Sequence, residues 1–297
     1  MTCRNSRIVA ALLAALALAF APPAPAQAES PALWKVSGAA GGSTYLFGSF
    51  HLLPPSVKWR TPQVERALQE SSAVVMELDP AVANDPQAML QLVMKYGVLQ
   101  AGETLPALLP PALNAELERT AGAFGLPSAN LAPMRPWLAA LTVSVQFIAS
   151  KGFDPNAGVD NQIAAWARAN GREIVSLETA EAQLRAFADL SRAEEIELLR
   201  VTLEQIREMP QMLDEILAAY RKGDVARLEQ TLNAGMDAVP ALRKRLLRDR
   251  HEQWLPRIEK MIADGRSRFI VVGAAHFTGA DGVIALLRAK GLKVEGP

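Results

Sequence analysis

Thiols are nearly missing from this 297-residue chain: Cys3 is its one cysteine, and it precedes the first apolar run. No internal disulfide can form, and with the N-terminal region removed no thiolate remains to act as nucleophile or metal ligand. A cysteine placed before that run, not after it, also argues against a lipoprotein. Net charge is missing as well, since 31 Lys and Arg balance 31 Asp and Glu. That balance argues against a general nucleic-acid binder. The local run Arg243, Lys244, Arg245, Arg248 and Arg250 reads as a solvated helix face. Histidine is scarce, with three in the whole chain. Whatever the chain does, it does with oxygen and nitrogen groups.

Arg4 and Arg7 precede an unbroken apolar run from Ile8 to Phe20, and a Pro/Ala-rich stretch follows, ending Ala26-Gln27-Ala28. A basic start, a short apolar run and a small-x-small site predict a secretory signal over residues 1–28, cut between Ala28 and Glu29. The run falls short of the roughly 18–20 residues that span a bilayer, so no stable membrane anchor is expected after cleavage. The expected location is periplasmic or secreted. Half of the chain is apolar, which predicts a substantial core and one domain over residues 29–297.

Two of the three histidines close near-identical phrases, Leu46-Phe47-Gly48-Ser49-Phe50-His51 and Val271-Val272-Gly273-Ala274-Ala275-His276. An apolar run closed by glycine reads as a buried strand ending in a sharp backbone departure. Further strands are expected at Leu33–Ser37, Ala73–Leu78, Glu173–Leu177 and Leu292–Glu295, with the two histidine phrases supplying Thr44–Ser49 and Arg268–Val272. Glycines between Ser37 and Ser43 make the first two a hairpin. Thr61-Pro62 and Asp85-Pro86 read as helix starts with a capping side chain and proline at the first position. Ser191-Arg192-Ala193-Glu194 has capping-box spacing. Trp137–Ala149 is apolar nearly all round and reads as a buried helix. A helix over Gly158–Asn170 closes at Gly171, and one starting at Pro240 runs to about Ala263. The fold class is therefore α/β: a mixed central sheet from N- and C-terminal strands, with helical insertion over about 86–170 and 180–263. Closing that sheet brings His51 and His276 together.

Ligand-bearing loops of open α/β sheets gather at the carboxyl ends of strands, where both histidines sit, each three residues after a glycine, Gly48 or Gly273. Glu77 leaves an apolar strand, so its carboxylate must be paired with an arginine such as Arg135 or Arg250, or be coordinated. Asp79 alternates onto the same face, unless it caps a turn at Pro80. Asp160 is a helix cap or an orienting partner for a ligand histidine, and Glu178 repeats the strand-end placement of Glu77. Arg250 suits a developing oxyanion, Ser49 offers a hydroxyl, and His251, among charges on a helix, is expected to face solvent. His51, Glu77 and His276 with open positions would suit a divalent metal such as Zn, Mn, Co or Fe.

These phrases, together with Val75-Met76-Glu77-Leu78-Asp79, Gly152-Phe153-Asp154, Gly158-Val159-Asp160, Leu177-Glu178-Thr179 and Gln183, resemble the TraB/GumN family. The resemblance implies a fold like that of erythromycin esterases and ChaN. It also implies an activity like that of the Tiki-related members, which are metal-dependent proteases. It places the paired Gly-x-x-His motifs on Gly48/His51 and Gly273/His276, and the strand-end glutamate on Glu77. Where the family usually shows Arg-Asn, this chain has Arg250-His251; where a threonine is common, it has Ser49.

The leading expectation is a metal-dependent hydrolase, most simply a peptidase, in which a divalent ion on His51, Glu77 and His276 activates water and polarises a carbonyl. Its substrate would be a peptide or a small molecule. Glu77 could instead stay free as general base. A metal-independent hydrolase using His/Glu acid–base chemistry, or a non-catalytic binder of haem or another ligand, are the alternatives.

Overall fold

The computed structural model describes residues 30–38, 40–236 and 239–297; the leader expected over 1–28 lies outside them. Short runs rich in Val, Ile and Phe form six strands: β1 (Leu33–Ser37), β2 (Ser43–Ser49), β3 (Ala73–Met76), β4 (Glu173–Ser176), β5 (Arg268–Gly273) and β6 (Val294–Glu295). They lie in one sheet in the order β4-β3-β5-β2-β1-β6. The four strands β4, β3, β5 and β2 run parallel, while β1 pairs antiparallel with both β2 and β6. The fold is thus α/β with a mixed sheet, and its centre joins strands from both ends of the chain.

Central β5 is buried along most of its length, as a parallel strand covered on both faces must be. Side chains alternate between the faces. Phe47, Val74, Met76, Phe269 and Val271 pack against α1 (Pro62–Glu70), Val159–Ala169 and Met209–Lys222. Leu46, Val75, Ile270 and Val272 pack on the other side against Asp249–Ala263 and Val283–Ala289. Burying a side chain of this size contributes roughly 1.5–3 kcal/mol. A third cluster, with Leu105, Leu131, Val143, Phe147, Leu199 and Leu203, lies within the helical insertion. In chain order the other helices used below are α2 (Pro136–Ser150), α3 (Val159–Ala169), α4 (Ala180–Ala188), α5 (Met209–Lys222) and α6 (Asp249–Ala263). Among the described residues no helix is long and apolar enough to cross a membrane.

Local signals act as their chemistry dictates. Thr61 accepts from the Val64 N–H, Asp85 from Gln87 and Ala88, and Ser191 and Glu194 form the reciprocal capping box. Three expectations need correction. Helix α2 is not buried all round: Val145 is 48% exposed, because one side of the helix borders an open pocket. Strand β3 stops at Met76, two residues early, and the following Asp79 accepts from the Ala81 N–H to start the Pro80–Ala83 turn. The helix from Pro240 is interrupted by wide, π-type turns over Lys244–Arg248 before α6 begins. Such turns re-aim the side chains that follow them, here Arg250 and His251.

Candidate active site

The register of the parallel strands sets the site. Ser49 of β2 pairs with Gly273 of β5, and Met76 of β3 pairs with both Val271 of β5 and Ser176 of β4. Four strands therefore end at one edge. His51, Glu77, Glu178 and His276 leave the sheet within one to three residues of those ends, at the place where open α/β sheets gather their ligands.

Gly273 matters for space, not for turning. Its φ is −50°, open to any residue, but a Cβ there would stand 3.2 Å from Glu77 Oε1. That room lets the Gly273 N–H donate to Glu77 Oε1 at 2.6 Å. A single turn over Ala274–Phe277 then carries His276 back to the same carboxylate, with Nε2 3.4 Å from Oε1. At the matching position of β2, a Cβ on Gly48 would stand 3.0 Å from Ala274, so this glycine admits that turn.

Arg250 joins the acids. Its Nε and Nη2 donate to Glu178 at 3.0 and 2.5 Å, and Nη2 also donates to Glu77 Oε2. Its Nη1 donates to the Leu246 carbonyl and to His276 Nε2, each at 3.1 Å. The five N–H groups of the guanidinium are all partnered, and the ring of Trp254 lies 4.6 Å beneath it. A free donor for an oxyanion is not on offer here. Arg135, the other partner considered for Glu77, is held by Glu195 in the helical insertion, 2.5 Å away.

Arginine remains protonated, so its contact with His276 makes Nε2 a lone pair and the ring neutral. Burial favours that state: it pushes His276 down to about 3, Glu77 opposing and Arg250 reinforcing the shift. For Glu77, burial alone raises the carboxyl, and nearby positive charge reverses this, holding it well below the usual carboxylate range. With His276 neutral, Arg250, the charged His51 and the Gly273 N–H do so. His251, expected at the surface, is 1% exposed; its Nε2 lies 2.8 Å from His276 Nδ1 and its Nδ1 2.8 Å from the Asp281 carbonyl. Burial lowers its pKa as well.

His51 stands apart. The loop after β2 is stitched to the segment before α3: the Val159 N–H donates to the Phe50 carbonyl at 3.0 Å, and Leu53 pairs with Asp154. Gly158 makes this approach possible, since a Cβ there would stand 2.3 Å from the His51 carbonyl oxygen. Asp160, in the first turn of α3, thereby reaches His51 Nδ1 at 3.0 Å. It does not cap the helix, which starts at Gly158. Desolvation works against charge on the ring, but the hydrogen bond and charge of Asp160, with Glu77 adding, outweigh it and lift His51 to about 9. Its side chain is 58% exposed and borders a cavity of about 470 Å³. Ser49, Glu77, Asp160 and Gln183 share that cavity with apolar Leu52, Pro80 and Val145. Ser49 Oγ is buried there with no hydrogen-bond partner.

Asp79 takes no place in this group; it starts its turn and pairs with Arg168. A metal on His51, Glu77 and His276 does not fit the present packing. Both oxygens of Glu77 and both nitrogens of His276 already have partners within the chain, with Arg250 between them. Among the described residues no three His, Cys, Asp or Glu side chains are grouped to hold an ion. Two further residues had no role assigned from sequence. Gln183, from α4, donates to Glu77 Oε2 at 3.4 Å. Trp254 stacks beneath Arg250 and 4.7 Å from His276; its signal was its position one helical turn after Arg250.

No solved structure matches the chain significantly. A protein from Treponema pallidum (strain Nichols), described as uncharacterized, is 22% identical over 271 residues, covering 87% of this chain and 80% of that protein. The model of the TraB/PrgY/gumN family matches residues 32–296. That span holds all six strands and every side chain of the site, and the chain belongs to the TraB/PrgY/gumN family.

Proposed function

We propose that the chain is a periplasmic or secreted hydrolase that cleaves the acyl C–N or C–O bond of a peptide or small-molecule ester at this pocket. The observation that carries the reading is His51: a histidine oriented through Nδ1 by Asp160, with Nε2 free beside a cavity of about 470 Å³. A carboxylate-held imidazole of this kind can move protons at the far nitrogen. In the neutral ring, Nε2 takes a proton from water as the water oxygen bonds to the carbonyl carbon. The same proton then passes to the leaving nitrogen or oxygen as its bond to carbon breaks. Ser49 borders the same cavity. Glu77 forms part of the wall, and Arg250 behind it holds its charge.

The test is hydrolysis of peptide and ester libraries by the purified chain, its His51→Ala variant, and the wild type after chelation. General acid–base catalysis typically contributes about 10²–10⁴-fold, and a loss in that range is expected for His51→Ala, with chelation without effect. Wild-type turnover in His51→Ala would reject the reading. Activity lost on chelation and restored by Zn, Mn, Co or Fe would assign a metal mechanism instead. Export would be checked by sequencing the N-terminus of the secreted protein, with Glu29 expected first.

A further inference from the structure

His251 sits between Arg250 and Glu252 on α6, yet it is buried and bonded at both ring nitrogens. The direction of each bond follows from the groups at the two ends. A backbone carbonyl only accepts, so His251 Nδ1 carries the proton it gives to Asp281. His251 Nε2 is then an acceptor, and His276 Nδ1 must donate to it. At the other end a guanidinium only donates, so His276 Nε2 is a lone pair facing Arg250. Both ends demand the same tautomers.

We propose that His251 is a positioning residue: by accepting from His276 Nδ1 it locks that ring as the Nδ1–H tautomer, and so seats Arg250 against Glu77, whose carboxylate borders the cavity. A histidine's second hydrogen bond decides which nitrogen presents its lone pair. In the opposite tautomer His276 Nε2–H would meet the N–H groups of Arg250 instead of accepting from them. It would turn to Glu77 Oε1, already 3.4 Å away, and compete with the Gly273 N–H for that oxygen. The tautomer therefore selects between two arrangements of a carboxylate that borders the cavity. This inference rests on the proposed hydrolase only for its kinetic consequence.

Two variants separate positioning from packing. His251→Gln keeps an acceptor oxygen at similar reach, whereas His251→Phe keeps a ring and removes the acceptor. In the uniformly ¹⁵N-labelled full chain, with only three histidines to assign, the wild type is expected to show His276 protonated at Nδ1 and bare at Nε2. The Gln variant should keep that pattern, with kcat within about threefold of wild type. In the Phe variant Arg250 alone holds the tautomer, so the two forms should mix, and kcat should fall about tenfold to a hundredfold with KM little changed. A wild-type His276 protonated at Nε2 overturns the proposal whether or not any substrate is found. So does a folded Phe variant with the wild-type tautomer and kcat. Should the Phe variant fail to fold, the wild-type and Gln spectra decide. If no substrate is hydrolysed, the hydrolase reading fails while the spectra still judge this one.

Discussion

Arg250 and His51 stand at the same edge of the sheet, but every donor of Arg250 is occupied within the chain while His51 keeps Nε2 open to the cavity. Arg250, Glu77 and Glu178 have side chains no more than 13% exposed, against 58% for His51. Groups bonded on all sides have no capacity left for a substrate. Breaking their pattern exposes a buried charge to loss of its partner. The difference divides the centre into a closed part that holds geometry and an open part placed to exchange protons.

The largest effect is expected from breaking the closed part. Arg250→Met leaves the Glu77 and Glu178 carboxylates buried without their shared cation, and removing one partner of such a pair costs about 3–5 kcal/mol. Urea unfolding at neutral pH measures it. A loss below 1 kcal/mol would mean that the carboxylates find water or new partners, and that this part is less closed than its contacts indicate. Next comes the open part. His51→Ala should lower hydrolysis by at least about 10²-fold while changing stability by no more than about 1 kcal/mol, the ceiling for an exposed pair. A destabilisation comparable to that of Arg250→Met would erase the distinction between the two parts.

A pH profile sharpens the comparison further. His51 must be neutral to accept a proton and its pKa lies at about 9, raised by Asp160. The kcat/KM profile should therefore climb with pH to a plateau above about 9. Asp160→Asn removes the carboxylate that favours the charged ring, so the midpoint should move down toward the ordinary histidine value near 6.5, with a lower plateau as orientation is lost. In stability the two rings have opposite signs. His51, raised in the fold, stabilises fully below its unfolded pKa and loses this as pH rises through about 9. His276 is lowered to about 3 in the fold, so below about 6.5 the unfolded chain takes up a proton that the folded chain does not, and stability falls toward acid. Melting temperatures across pH 4–10 should show the alkaline decline weaken in His51→Ala.

Much of this arrangement was legible because it depends on short-range rules. Thr61-Pro62 and Ser191 to Glu194 announce helix starts, and glycine after an apolar run marks where β2 and β5 release their histidines. The placement of Glu178 beside Glu77 follows from two strand ends of the same pattern. What stayed hidden depends on packing between distant elements. His251 has charged neighbours and a surface pattern, yet it follows the wide turns over Lys244–Arg248 and lies against His276. Val145 looks like core because its helix is apolar all round, and a cavity beside a helix leaves no trace in its periodicity. The contacts of Arg250 with Glu77 and His276 are likewise visible only in three dimensions.

The finest comparison sets the same substitution against both parts. Gly273→Ala places a methyl 3.2 Å from Glu77 Oε1, at a φ of −50° that alanine adopts without strain. The carboxylate must give by a few tenths of an ångström, and the cost should fall at or below the lower end of the 1–3 kcal/mol typical of overpacking. Gly158→Ala would put its methyl 2.3 Å from the His51 carbonyl oxygen, which is backbone and cannot turn aside. Here the loop must move and carry His51 away from Asp160, so activity should fall more than stability does. Denaturation and hydrolysis measured side by side test this. Equal loss of activity in both variants would show that the Glu77 wall governs turnover as strongly as the His51–Asp160 contact, and the division between a closed and an open part would fail at its finest point.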